Sequence, residues 1–340
     1  MTGSSQPTGA KWIAAAGAAA AIFVLSLSIG RYPLTPAEVA RALAQALLGR
    51  DFGMGAEAMA IVVDNRLPRA LAGCLTGAAL AAAGCAFQGL FQNPLVSQGV
   101  LGVSSGAGFG AALSILIFSG TRFAPTFAFV FALAAVWMSF LVARMCGEVT
   151  SLMLVLGGTI ISSIFSALLS FLKYVADPNN ELASIVFWNM GSLASVESTV
   201  FPFAAAAMLA GMGLLVLSGW SLNALSMGDR EAKSMGLDVG KARLAVVAGA
   251  TLSTAGAVSI AGTIGWVGLI IPHMARFLVG SDNRRLIPFS MLLGAAFLMG
   301  IDLLSRTLTG AEIPLGILTS LIGGPFFIYL LRRYKGGGWK

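Results

Sequence analysis

Charge is what this chain has least of. Only 10% of its 340 residues are Asp, Glu, Lys or Arg, against roughly 25% in soluble globular domains. Between Ala70 and Thr121 there is none at all. A soluble fold cannot keep its wet faces hydrated over such a stretch, so the segment belongs in lipid. Histidine is nearly absent, with His273 alone. That excludes a histidine-cluster metal centre and the paired-histidine motifs of metallohydrolases. The three cysteines, Cys74, Cys85 and Cys146, are odd in number and lack metal-site spacing. Cys74 and Cys85 read as small apolar residues of a helix. Met1–Gly9 lacks the basic start of a cleaved signal, and the first apolar stretch is span-length, so it reads as a retained helix.

What the chain has in abundance is apolar length. It is 57% hydrophobic, its mean hydropathy is +0.87, and a membrane crossing needs about 20 mostly apolar residues. Ten candidate spans start near Lys11, Leu67, Ser97, Ala124, Leu152, Glu197, Ala242, Trp266, Leu286 and Ile313. The fold class expected is an all-α polytopic membrane protein, with residues 1–340 as a single integral membrane domain. With the N-terminus inside, an even span count returns the C-terminus to the same side. That side then carries 13 of the 21 basic residues and five acids, Glu148, Asp229, Glu231, Asp238 and Asp282, for a net +8. The other side holds eight of each sign. This bias predicts cytoplasmic N- and C-termini, and it accounts for the basic balance without a nucleic-acid partner.

Local signals punctuate the spans. Thr35-Pro-Ala-Glu38 predicts a capped outer helix over 35–48. Ala183–Leu193 is apolar but too short to cross, and predicts an interfacial or re-entrant piece. The glycines at 102, 106 and 110, like Gly73 and Gly77, are spaced for close helix approach. Gly77–Gly84 and Gly249–Gly256 share Gly, Ala, Leu, Ala and Gly in register, an echo that fits inverted repeats. Arg66 and Arg69 stand at a span end, with Pro68 between them at an expected helix start, and Arg306 closes the ninth span on the same side. They could snorkel to headgroups, or their planar forks could take carboxylates of an extracytoplasmic protein. Gln92-Asn-Pro94 places polar groups and a missing backbone donor at the opposite end, as an interfacial turn or an irregular segment beside an aqueous path. Asp302 inside a span needs a partner or cavity, and a structural hydrogen-bonding role is expected. His273, after Pro272, reads as a hydrogen bonder at a helix start.

Segment 221–240 differs in kind. Asp229, Arg230, Glu231, Lys233 and Asp238 crowd a short stretch with Leu225, Met227, Met235 and Leu237, and Gly228 and Gly236 bracket a potential short helix. It reads either as a solvated loop or as a docking helix for a cytoplasmic partner. Gly228-Asp-Arg-Glu-Ala-Lys233-Ser234 lacks the glycines of a phosphate loop, so ATP is not bound by that route.

In order along the chain, Arg66-Leu-Pro-Arg69, Gly89-Leu-Phe-Gln-Asn-Pro-Leu95, Leu101-Gly-Val-Ser-Ser-Gly-Ala107, Gly265-Trp-Val-Gly-Leu-Ile-Ile-Pro-His273, Glu312-Ile-Pro-Leu-Gly316 and Gly323-Gly-Pro-Phe-Phe327 resemble the permease subunits of ABC importers for ferric siderophores, haem and vitamin B12, the FecCD-like or BtuC-like family. The resemblance implies ten spans, an inverted-repeat type II permease, a second permease copy as homodimer partner, two cytoplasmic ATP-binding subunits and an extracytoplasmic substrate-binding protein. Carried over by position, Arg66, Arg69 and Arg306 would dock that protein. Asn93, Leu95, Thr150 and Ser151 would form the cytoplasmic gate. Asp229, Arg230, Glu231, Lys233, Ser234, Met235, Gly236 and Leu237 would couple to the ATPase. Ser162, Ser166 and Ser170 would line the path. The chain departs from the family at Val96-Ser97-Gln98 and at Gly262-Thr263.

The expectation is therefore a permease of the cell inner membrane, without catalytic residues, metal or cofactor of its own, passing a bulky metal chelate such as a ferric siderophore. Haem, vitamin B12 or molybdate are alternative cargoes. An ion-coupled secondary transporter would need paired buried ionisable groups, and a membrane enzyme would need an intramembrane acid cluster.

Overall fold

The computed structural model describes residues 8–145, 147, 150–194, 196 and 199–333. Cys146, Glu148, Glu197, Tyr334 and Lys335 lie outside them. The described residues are almost wholly helical: α1 (Thr8–Ser28), α2 (Pro36–Leu48), α3 (Ala56–Met59), α4 (Leu67–Leu90), α5 (Val103–Phe118), α6 (Ala124–Met145), α7 (Ser151–Val175), α8 (Glu181–Met190), α9 (Phe201–Leu217), α10 (Gly219–Leu225), α11 (Asp229–Ser234), α12 (Val239–Ala261), α13 (Val267–Val279), α14 (Asn283–Thr307) and α15 (Leu315–Arg333).

Six helical stretches are long and apolar enough to cross a membrane, and a seventh is formed if α9 and α10, bent by 58°, count as one. α5, α13 and α15 are shorter and apolar. A helix falls at each of the ten segments marked in the sequence, but only six of them, or seven with the bent pair, are long and apolar enough to cross a membrane. The bend takes Gly219–Leu225 out of the polar loop expected there and makes it the end of the sixth segment. The expected helix at 35–48 carries the full capping box, with the Thr35 side chain accepting from Glu38 N and the Glu38 carboxylate accepting from Thr35 N.

The architecture is organised around α4. It runs on from α3 through a π-helical turn, Ala60–Arg66, as one helix from Ala56 to Leu90 whose apolar window is 83% buried. Pro68 is thus not at a helix start. The π-turn, in which Leu67 N bonds Val62 O, absorbs the disruption that proline imposes inside a helix. Burial on all sides follows from side-chain size. A Cβ added to Gly84 would lie 1.9 Å from Gly268 O, and one on Gly77 would lie 2.2 Å from Gly294 O. These glycines let α13 and α14 touch the α4 backbone, as small residues do where lipid supplies no hydrophobic drive. Gly106 and Gly110 seat α5 against the Phe131 and Phe127 carbonyls of α6 in the same way. The echo segment, Gly249–Gly256 on α12, packs its two glycines against α9, and α12 also packs against α4.

Gly84→Ala should therefore destabilise the detergent-solubilised protein by about 1–3 kcal/mol through overpacking. Gly213→Ala, on α9 where an added Cβ meets nothing within 4 Å, should leave the thermal transition unchanged. Thermal unfolding followed by tryptophan fluorescence separates the two.

Candidate functional site

The two ends of α4 carry two different chemistries. At the Arg end, the three arginines marked in the sequence do come together, but not as free cations. Arg66 is 5% and Arg69 7% exposed. Arg66 donates through Nη1 to the Leu27 and Ser28 carbonyls (2.8 and 2.9 Å) and through Nη2 to the Tyr32 carbonyl. It thereby caps the last turn of α1. Arg306 donates through Nη2 to Ser26 O and Oγ at 2.6 and 2.8 Å. The correction to the sequence reading is physical: a guanidinium buried beside a bilayer must find acceptors within the chain, and here it does.

Arg69 is the centre of the cluster. Its Nε donates to both oxygens of Asp302 at 2.9 and 3.1 Å, and Nη2 lies 2.8 Å from Asp302 Oδ1. Nη1 and Nη2 grip Glu312 bidentately at 2.8 and 2.9 Å. Arg306, one turn along α14, approaches Asp302 at 3.6 Å. Asp302 thus has the structural partner expected of it. Glu312, between α14 and α15, is held below the usual carboxylate range by the hydrogen bond from Arg69, with the Arg69, Arg306 and Arg31 charges adding to it. Around these groups lies a cleft of about 250 Å³ lined by Arg31, Arg66, Arg69, Arg306 and Glu312 among others.

At the Asn-Pro end, α4 stops at Leu90 and the chain turns through Gln92, whose φ of 50° is left-handed. The Asn93 side chain accepts from Leu95 N at 2.9 Å. Thr150 caps α7 by accepting from Met153 N, and Ser151 Oγ donates to Leu90 O at 3.2 Å. Asn93, Thr150 and Ser151 line one cleft of about 460 Å³, which also includes Asp229. Leu95 faces elsewhere. It borders a second cavity of about 690 Å³, formed by segment 95–100, α7 and segment 263–266.

That larger cavity carries no charged side chain. Ser97, Gln98, Ser104, Thr159, Ser162, Ser163, Ser166, Thr263 and Trp266 supply its polar and aromatic surface. Its two irregular walls are tied by Gln98 Nε2 donating to Ile264 O at 3.0 Å. Irregular backbone in a membrane protein survives where it is buried or lines a cavity. Thr159, Ser163, Ser166 and Ser170 form one exposed row on α7. Three of them return their protons to the carbonyl four residues back, leaving the hydroxyl oxygens as acceptors. Ser162 and Ser166 line the cavity, whereas Ser170 lies a turn beyond it.

Asp229–Ser234 form the six-residue α11, bracketed by Gly228 and Gly236, both at positive φ. Arg230, Glu231, Lys233, Ser234, Met235 and Gly236 are exposed and Leu237 is half-buried. The sequence did not mark its two anchors. Arg243, buried in α12, holds both Asp229 oxygens at 2.8 Å, and Gln92 donates to Leu225 O at 3.1 Å. His273 sits mid-way along α13, buried, with its ring edge-on to Phe277 at 5.0 Å, rather than at a helix start.

The chain belongs to the FecCD transport family, whose profile matches residues 18–333. It is 38% identical to the molybdate import system permease protein MolB of Haemophilus influenzae, over 93% of each chain. It is 37% identical to the hemin transport system permease protein HmuU of Yersinia pestis, over 81% of this chain and 84% of that one. The cobalamin import system permease protein BtuC of Halobacterium salinarum is 38% identical over 83% of this chain and 76% of its own. An ABC transporter assigned to the metal-chelate type, solved facing inward, superimposes with a TM-score of 0.82 at 36% identity, covering 94% of this chain and 98% of that one. The protein is a multi-pass permease of the ABC importer class, and the ion-coupled secondary transporter is not the favoured reading.

Arg69→Gln should destabilise the fold by about 3–5 kcal/mol, because Asp302 is left charged, buried and short of its main partner. Pairing it with Asp302→Asn should restore most of that loss, measured as recovery of the thermal transition in detergent.

Proposed function

We propose that this permease is one half of a homodimeric importer in the cell inner membrane, with both termini cytoplasmic, carrying a bulky metal chelate, a ferric siderophore type, inward. The observation that carries this reading is the uncharged, hydroxyl-rich cavity between two charged ends. A large oxygen-rich solute can exchange water for hydroxyl contacts there without a fixed counter-charge to trap it. The hydroxyl row on α7 and the neighbouring exposed Ile160, Ile164 and Leu168 have no cover within this chain, as the inner wall of a paired path would. The Arg69 end receives an extracytoplasmic binding protein, the Asn93–Thr150–Ser151 cleft gates the inner side, and α11 seats in a cytoplasmic ATPase. The chain itself performs no catalysis; hydrolysis by the ATPases moves α11.

The full-length similarity to a molybdate import permease favours one second reading, an oxyanion cargo. Proteoliposomes holding the permease, its ATPase and its binding protein decide between them. Uptake of radiolabelled ferric hydroxamate with no uptake of molybdate is the expected result; the reverse result establishes the oxyanion.

The Asp229–Arg243 contact gives a second test. Movement of α11 can reach α12 through it, and the gate turn through Gln92 and Leu225. Arg243→Gln should leave the ATPase bound and hydrolysing while transported solute per ATP falls about ten-fold, and Asp229→Arg/Arg243→Asp should recover part of the loss if the contact transmits force.

A further inference from the structure

The docking reading meets an obstacle in the geometry. Four of the five N–H groups of Arg69 are already engaged. Asp302 takes Nε and one edge of Nη2, and Glu312 takes the end-on fork formed by Nη1 and Nη2. A guanidinium offers five N–H groups in a fixed plane, and both bidentate faces are filled. An incoming carboxylate cannot grip Arg69 in bidentate fashion unless one resident leaves.

The two residents are not equivalent. The Asp302 side chain is 2% exposed on the inner face of α14, with Arg306 on its far side. It is fixed by the helix that carries it. The Glu312 side chain is 35% exposed and opens onto the 250 Å³ cleft, on a short connection between two helices rather than in one. Apart from the Glu312 pair itself, that connection is fastened by Arg31 donating to Gly310 O and at its C-terminal side. Ser305 bonds Ile313 through backbone and hydroxyl, and Leu315 N bonds Gly191 O. Charge also invites an anion, since Arg31, Arg66, Arg69 and Arg306 outnumber Asp302 and Glu312 by two.

We infer that Glu312 is a resident stand-in for the binding protein's carboxylate: it fills the end-on fork of Arg69 in the undocked permease, and an acidic side chain of the docking partner displaces it. The inference rests on the docking reading given above and adds its internal competitor. Displacement frees the segment that leads through Pro314 into α15. That helix faces the transport cavity at Gly323, where an added Cβ would lie 2.8 Å from the Trp266 ring, and Trp266 lines the cavity. Docking is thereby connected to the path through one carboxylate exchange and one helix.

The test uses the full transporter in nanodiscs and its solute-loaded binding protein, with affinity read by biolayer interferometry. Glu312→Gln removes the competing charge and keeps the side-chain shape, so docking should tighten about ten-fold, equivalent to 1.4 kcal/mol. Arg69→Gln/Asp302→Asn, which spares the fold an unpaired buried charge, should weaken docking. If Glu312→Gln docks no more tightly while the double variant weakens, the exchange is overturned and the docking reading stands. If neither variant changes affinity, the docking reading itself fails. A second readout is independent of any substitution: carbodiimide labelling of Glu312 in the native chain, followed by mass spectrometry, should accelerate when the binding protein docks. Unchanged labelling overturns the exchange.

Discussion

Helix α4 can be surrounded because its side chains are small. Alanines and glycines from Ala70 to Ala86 leave its backbone within reach of α9, α12, α13 and α14, and that contact replaces the hydrophobic drive that lipid cannot give. Everything else in the permease is placed relative to this axis. The charged cluster sits at one end because Arg66 and Arg69 belong to α4's first turns. The Asn-Pro turn sits at the other because the helix runs out at Leu90. A single helix therefore joins the charged cluster to the cleft at Asn93.

The same constraint explains the polar inventory. Away from water, polar groups need internal partners, and the groups described above find them by different devices at different depths. Serines and threonines on α7 satisfy their own helix. Gln98 and Gln92 stitch irregular segments to neighbouring carbonyls. Arginines cap helix ends or pair with acids. The cavity is left with hydroxyl groups and no charge.

Much of this was legible in the sequence, and the remainder was hidden for a definable reason. The ten apolar segments, the Thr35 capping box, the turn after Leu90 and the glycine brackets of α11 are all local patterns, and each appears where hydropathy, capping or backbone rules put it. The partners of Arg69 are not local. Asp302 and Glu312 lie 233 and 243 residues away, and no spacing rule in one sequence connects them, so the arginines read as facing headgroups or an outside protein's carboxylates. Arg243 was missed because it falls just inside a predicted span, where a basic residue looks like an interfacial anchor. Pro68 misled because proline usually marks a helix start, and a π-turn leaves no simple sequence signal.

That π-turn has a consequence for how the chain tolerates change in length. Ala60–Arg66 holds one more residue per turn than an α-helix would, directly before the register-critical glycines of α4. It works as a slip joint. The piece formed by α2 and α3 can be set at its own angle and spacing, while α1, tied to α14 through Trp12–Phe289 and Arg306–Ser26, and the α4 residues that face four neighbouring helices keep theirs. Length variation between Pro36 and Met59 is therefore mechanically separated from the packing around α4, and that stretch is where insertions would disturb the helix core least.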